Sequence, residues 1–590
     1  MSVTAEAPRW NLDFLFPSVD SPEFRSAEGK VLEEMGRLEA LFDGLDIRAG
    51  GAGADPGAAL SQVLTALNEF IVLQRRIFCY LSALVTTDSS DAVAQAKLSE
   101  LQAKMTPFAK LMTRLTAWIG EQDEVSLIES STYAKEHAWV IRKAALGSKH
   151  LMSPLEEALA SDLSLSGSTA WTKLHGNMTS QLEVELNGEK LSMSVIRTKA
   201  YDPERDVRRD AYMAELDAWK KVEVPLAACM NGVKGETVQL SKKRGWSSPL
   251  EMACFNANID VPTLEAMMSA AEEAFPDFRR YLDAKAKMLG LQKLAFFDIF
   301  APVGSEERHW EFDEAADFVC ECFGGFSQKL KDYAASEFNN RRIDAEPRAG
   351  KRDGAYCMGV PPTDSLIMMN FKPAFGAVST LAHELGHGYH NLCLRERTML
   401  QRSTPMTLAE TASIFCETII RQAVLQSDAS DQEKLSVLEA SLQGSCQTVV
   451  DISSRFFFEQ TVFEKRANRD LSPAELNEAM IAAQMRTYGD GLDSEFLHPY
   501  MWAAKPHYYG STYYNFPYMF GLLFGLGLYT IYESDRDGFK LRYDDLLSST
   551  GLDDAATLAG GFGIDIRSPE FWRGSLNQVR ADIDRFLQFF

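Results

Sequence analysis

Apolar residues recur at intervals of three and four along most of the chain, the signature of helices with one buried and one solvated face. In KVLEEMGRLEALFDGL, residues 30–45, Leu32, Met35, Leu38, Leu41 and Phe42 form such a stripe among charged neighbours. GGAGADPGAA, residues 50–59, predicts a loop, after which LSQVLTALNEFIVLQRRIF resumes the helical pattern. Asp202 as N-cap and Pro203 in the first turn predict the start of a long helix, DPERDVRRDAYMAELDAWKK. Two segments depart from the helical period. SQLEVELNGEKLSMS, residues 180–194, alternates apolar and polar positions around Asn187-Gly188, which predicts a hairpin with a tight turn. SLIMMNF, residues 365–371, reads as a strand just ahead of the richest motif in the chain. The apolar run from Tyr518 to Tyr532 is shorter than the roughly 20 residues a bilayer span needs and reads as a buried helix.

Composition narrows the function classes. The chain has 590 residues, and 60 Lys+Arg against 83 Asp+Glu leave a formal charge of −23. So acidic a surface repels polyphosphates, which argues against nucleic acid as a partner. The nine cysteines are odd in number and scattered, with no CxxC pair, as expected of a protein from a reducing compartment. The start, MSVTAEAPRWNLDFLF, lacks the basic residues and apolar run of a secretory signal. The expected location is therefore cytoplasmic, with no membrane partner.

Residues 383–387 read His-Glu-Leu-Gly-His. Four residues apart on a helix, His383 and His387 share a face and can present two imidazoles to one ion, with Glu384 at its edge. Two His and one further ligand, with an open position for water, is the pattern of a catalytic zinc site. His390 lies on nearly the same face as His383 but about 10.5 Å along the axis, too far to share an ion, and is assigned a supporting or packing role. Position 393, where a third His would fall six residues past the second, is Cys393. The remaining source is TLAETASIFCETIIRQAVL, in which Leu408, Ala412, Phe415 and Ile419 face the core. Glu410, set among small residues that let helices approach closely, is taken as the third ligand. Glu417, seven residues on, is either a support for the site or a solvated residue.

At these residues the sequence resembles the M3 zinc peptidases, in their oligoendopeptidase F branch. RWNLDFLFPSVDSPEF is similar to the family's amino-terminal signature, and LEEALASDLSLSGSTAWTKLHGNMTSQLEVEL to its middle segment. RRIDAEPRAGKRDGAYC, a strand and TLAHELGHGYH resemble its approach to the metal helix. The resemblance implies a mostly α, two-lobed gluzincin-type fold, with a deep substrate channel and a small β element near the active site. It divides the chain into a helical region, residues 1–200, and a catalytic region, residues 201–590. It also implies one Zn²⁺ per chain on His383, His387 and Glu410, with Glu384 as general base.

WAAKPHYYGSTYYNFPYMFG, residues 502–521, holds five tyrosines within eleven residues. On composition alone this is an aromatic core segment. The resemblance implies in addition that His507 and Tyr514 stabilise the oxyanion and that Tyr518 contacts substrate. The expected activity is hydrolysis of internal bonds in short unfolded peptides. The alternatives are a carboxypeptidase or dipeptidyl carboxypeptidase on the same scaffold, or a peptide-binding protein without catalysis. SLIMMNF is expected to pair with the peptide backbone at a sheet edge, and the acidic surplus to bias selection toward basic peptides.

Overall fold

The computed structural model describes residues 7–51, 55–304 and 308–589. Residues 52–54 of the predicted loop and residues 1–6 of the amino-terminal segment lie outside that range. The fold is mostly α, with 71% of residues helical. The chain divides into two units, each assembled from three stretches. Unit 1 comprises Met1–Leu151, Arg308–Ser427 and Ile531–Phe562, and unit 2 comprises Met152–Glu307, Asp428–Thr530 and Gly563–Phe590. The division at residue 200 expected from the resemblance falls inside unit 2.

In unit 1, the helix Pro22–Gly44 starts where Ser21 caps the Phe24 amide and Pro22 occupies the first turn. Its buried residues are Phe24, Val31, Met35, Leu38 and Phe42. Val31 thus takes the core position expected for Leu32, which is exposed. The loop after it is shorter than predicted, because Asp55 caps a helix, Pro56–Thr87, that has Pro56 in its first turn. This helix is long and apolar enough to cross a membrane by length and composition. Leu60, Leu64, Leu67, Ile77 and Leu81 on it are buried in the unit's core, each such side chain contributing roughly 1.5–3 kcal/mol.

The sheet of unit 1 has strands Ile343–Asp344, Tyr356–Val360 and Asp364–Met368. The last is SLIMMNF, and it is the middle strand, parallel to the first and antiparallel to the second. Both its edges are occupied, so it cannot add a peptide strand, contrary to the sequence-based expectation. On the far side of Ile343–Asp344 lies the amino-terminal signature. Ala345 N donates to Pro8 O at 2.7 Å, and the Arg342 guanidinium stacks 3.4 Å over Phe14. Tyr356–Val360 is left as the outer strand. Its Gly359 carbonyl accepts from Arg75 Nε at 3.2 Å.

In unit 2, Glu183–Leu186 and Glu189–Ser192 form the predicted hairpin, with Asn187 and Gly188 at φ 54° and 83°, as a type I′ turn requires. The long helix runs Arg205–Lys243. It begins two residues later than predicted, because Asp202 turns its side chain to the Glu204 amide and closes a turn ahead of the helix. Tyr518–Tyr532 lies within the helix Phe516–Ser534, largely buried as expected.

Within unit 2 a buried ion pair joins two helices and a loop. Lys234 Nζ lies 2.6 Å from Glu459 Oε1 and donates to Ser511 O at 3.1 Å, while Glu459 Oε1 also accepts the Tyr513 amide at 3.0 Å. Both side chains are withdrawn from water, at 0% and 2% exposure. Glu459→Ala leaves a lysine buried without its counter-charge and is expected to cost about 3–5 kcal/mol in guanidinium unfolding. The Lys234→Met, Glu459→Leu double variant should lose less, about 1–3 kcal/mol, because only the two backbone groups then lack a partner.

Candidate active site

HELGH lies in the helix Phe375–Cys393. It packs against the helix Thr411–Gln426, which follows the short helix Met406–Ala409 with Glu410 at the break between them. The approach is close because Gly386 has no side chain. A Cβ there would lie 2.6 Å from Ser413 Cα and 2.7 Å from Ala412 O. Gly388 is similarly constrained, with the Tyr333 hydroxyl 1.8 Å from where its Cβ would stand.

The structure brings the three expected metal ligands together. His383, His387 and Glu410 each offer one atom, all within 4.8 Å of one another. Glu410 Oε2 is 3.2 Å from His383 Nε2 and 3.4 Å from His387 Nε2. Ligands of a tetrahedral zinc at bond lengths near 2.0–2.2 Å stand about 3.4 Å apart, so these residues fit a zinc-sized ion with little movement. Ser413 Oγ donates to Glu410 Oε2 at 2.8 Å and steadies the carboxylate.

Glu417, left open by the sequence, supports the site. Its Oε2 is 3.2 Å from His383 Nδ1, and its Oε1 accepts from Ser379 Oγ at 3.1 Å. A proton on Nδ1, held by Glu417, turns the lone pair of Nε2 toward Glu410 and the ion's position. His390 is a packing residue, as expected. Burial pushes its imidazole down to about 4, and it bonds to Leu547 O and to Ala409 O, the carbonyl just before Glu410.

The electrostatics call for a cation among these groups. Burial alone would lower His383, but its bonds to Glu410 and Glu417 outweigh burial and push it well above the ordinary imidazole range. Burial alone would raise Glu410, but the two histidines outweigh it and hold the carboxyl far below the usual range. Glu384 is buried, and one of its oxygens, Oε2, has no hydrogen-bond partner. Burial raises its pKa, and the nearby His383 and His387 only partly offset this. A partly desolvated carboxylate with a free oxygen is a suitable general base.

Unit 2 sorts the tyrosines of the 502–521 segment into two sets. Tyr508, Tyr509 and Tyr513 are buried. Tyr509 stacks on His175 at 3.7 Å, and Tyr513 packs against Phe456 and Phe463. His175 and Thr172, from the middle segment of the family resemblance, bond to Ala503 O and Tyr509 O at 2.8 and 2.7 Å. His507, Tyr514 and Tyr518 are less buried and mutually in contact. The His507 and Tyr514 rings stack at 4.6 Å and 11°, and Tyr518 OH donates to Tyr514 OH at 2.9 Å. Accepting from Tyr518 leaves the Tyr514 proton free to be donated elsewhere.

Residues 325–578, which include every one of these positions but His175 and Thr172, match the model of peptidase family M3. Among curated relatives, an oligoendopeptidase F homolog of Lactococcus lactis is 26% identical over 62% of this chain and 61% of its own. Group B oligopeptidase PepB of Streptococcus agalactiae is 23% identical over 87% of each chain, and oligopeptidase PepF of Bacillus subtilis 21% identical over 95% of this chain and 84% of its own. The chain also superimposes on a solved Chlamydophila abortus chain with TM-score 0.83 at 19% identity, covering 99% and 98% of the two. With oligoendopeptidase-F from Enterococcus faecium the TM-score is 0.68 at 17% identity, covering 96% and 99%. At these identities the structural likenesses establish the fold.

Three contributors were missed in the sequence. Ser379 precedes His383 by four residues and so shares its face, a spacing that marks it. Gly386 lies between the two ligands, where a small residue signals close approach. Ser413 gave no signal beyond its neighbourhood. Glu417→Ala, which frees His383 Nδ1, is expected to weaken Zn²⁺ binding about 10- to 100-fold in competition with a chelating dye.

Proposed function

We propose that this chain is an M3-type, zinc-dependent oligoendopeptidase that hydrolyses internal bonds of short, unfolded peptides, with one Zn²⁺ per chain on His383, His387 and Glu410. The observation that carries the proposal is this ligand cluster with a partnerless Glu384 carboxylate oxygen beside it. When bound, zinc would polarise the peptide carbonyl and acidify a water. Glu384 takes the proton of the attacking water and passes it to the leaving amine. The resemblance assigns His507 and Tyr514 as hydrogen-bond donors to the developing oxyanion, with Tyr518 contacting substrate. The bond from Tyr518 to Tyr514 supports that assignment, because it orients the Tyr514 hydroxyl as a donor. The strand for peptide pairing becomes the outer strand Tyr356–Val360 in place of SLIMMNF. The cytoplasm is the proposed location, and the nine unpaired cysteines suit it.

Glu384→Gln, with zinc content verified by metal analysis, is expected to lower kcat about 10²- to 10⁴-fold. A wild-type rate in that variant would overturn the mechanism. Mass spectrometry of products from peptides blocked at both ends should show internal cuts, which a carboxypeptidase or dipeptidyl carboxypeptidase cannot make. Tyr514→Phe removes one oxyanion donor and should lower kcat by about 10²-fold with a smaller change in KM.

A further inference from the structure

Unit 1 holds a cavity of about 280 Å³ at the carboxyl end of the outer strand Tyr356–Val360, lined by residues that include Gly359, Asp364, Asn391, Arg75 and Arg402. Arg75 Nε donates to Gly359 O at 3.2 Å. Arg402 donates to Pro362 O and Arg395 O, both at 2.6 Å, and to Arg397 O at 2.9 Å. Arg76, next along the helix Pro56–Thr87, donates to Pro361 O at 3.0 Å. Every one of these acceptors is a backbone carbonyl. Among the described residues none of the three arginines pairs with a carboxylate. The acid in the cavity wall, Asp364, is taken by Arg342 at 2.9 Å, and Glu396 by Arg395 at 3.2 Å.

Two guanidinium groups thus line one small cavity without a free counter-charge. A guanidinium carries five N–H donors, so Arg75 and Arg402 each keep donors to spare. Burial and then Arg75 hold Arg402 below its ordinary range, so an incoming anion relieves a repulsion. The outer edge of the strand leads to these donors. Ile367 of the middle strand gives its N–H to Arg342 O, so Cys357, opposite Ile367, turns its own N–H and carbonyl outward, and Gly359, two residues on, does the same. Among the described residues the Cys357 N–H, the Cys357 carbonyl and the Gly359 N–H have no partner, while the Gly359 carbonyl is held by Arg75. A peptide paired along this edge therefore meets a guanidinium at Gly359. The metal ligands lie along the same surface. Asn391 Oδ1 stands 3.1 Å from where a Gly359 Cβ would lie, and Asn391 follows His387 by one helical turn on the same face.

A carboxylate is the anion that peptides carry, at the chain end and on Asp and Glu, and its two oxygens match the planar fork of a guanidinium. The cavity lies at the lower limit of small-molecule pockets, which gives it room for one side chain or one chain end. We propose that this cavity is a carboxylate pocket in which Arg75 and Arg402 hold the terminal carboxylate or one acidic side chain of a peptide paired with the outer strand. This deepens the oligoendopeptidase reading and rests on it. The pocket opposes the bias toward basic peptides expected from the net charge of −23.

The test measures binding of amino-terminally labelled peptides by fluorescence anisotropy to the full-length, zinc-loaded Glu384→Gln protein, which is expected to cleave them slowly. One series compares free acids with C-terminal amides. A second series, all amides, replaces a single Gln by Glu at successive positions. The pocket predicts about tenfold tighter binding of the carboxylate form in one of the two series at low salt, and the series that responds identifies which carboxylate is held. Ratios near one in both series overturn the pocket. Arg75→Met in the same background should bring the preferred ratio close to one, and Arg75→Lys should retain part of it. Should the methionine variant not fold, Arg75→Gln carries the same comparison. A ratio unchanged on loss of the Arg75 charge overturns the assignment. Cleavage by the unmodified chain is scored separately. Its absence for every peptide sinks the peptidase reading, while the binding ratio still decides the pocket.

Discussion

A hydrogen atom where every other residue has a carbon lets the helix Phe375–Cys393 lie against the helix Thr411–Gln426 at backbone distance. Ser413 Cα stands 2.6 Å from the position a Gly386 Cβ would fill. The rest of the candidate metal centre follows from that approach. Glu410, at the break ahead of the second helix, comes within 3.4 Å of both imidazoles. About two turns further on, Glu417 reaches the opposite nitrogen of His383. A side chain at position 386 would push the helices apart, and both carboxylates would retreat together, because one rigid element carries them.

The tyrosine-rich segment of unit 2 works by a different constraint. Tyr513 has φ 49°, a left-handed conformation that a bulky residue adopts only under compulsion. Its ring is fixed against Phe456 and Phe463, and its amide is fixed by Glu459, which the buried Lys234 holds in turn. This reversal of the backbone sends Tyr513 into the core and leaves its neighbour Tyr514 against His507. The aromatic-core reading of the segment therefore holds for Tyr508, Tyr509 and Tyr513, while Tyr514 and Tyr518 stand outside that core.

What could be read in the sequence and what could not divides along the range of the interaction. HELGH was legible because the spacing of its ligands is built into one helix, and the Asn187-Gly188 turn because its φ angles depend on two adjacent residues. Glu410 was legible once its small neighbours were noticed. Glu417 stayed open, since nothing local tells a glutamate that faces His383 from one that faces water. SLIMMNF was recognised as a strand, but strand order is a tertiary fact, and the claim on both its edges by Ile343–Asp344 and Tyr356–Val360 leaves no trace in its own residues. The exchange of Leu32 for Val31 in the core has a similar cause, because a helix of 3.6 residues per turn offers adjacent apolar residues and the partner surface selects between them.

Net charge is the coarsest of the sequence quantities, and the structure limits what it can decide. Surface charges are screened over about 8 Å at physiological ionic strength, whereas pairs withdrawn from water are screened far less. The −23 is a sum over the whole chain. Burial lowers the His507 imidazole, and Arg455 and Lys505 add to that effect despite the negative total. At the candidate metal centre, Glu410 and Glu417 converge on His383, and this pair of carboxylates favours a positive charge there. Within one acidic protein, then, local electrostatics follow the few charges that burial leaves unscreened and not the total.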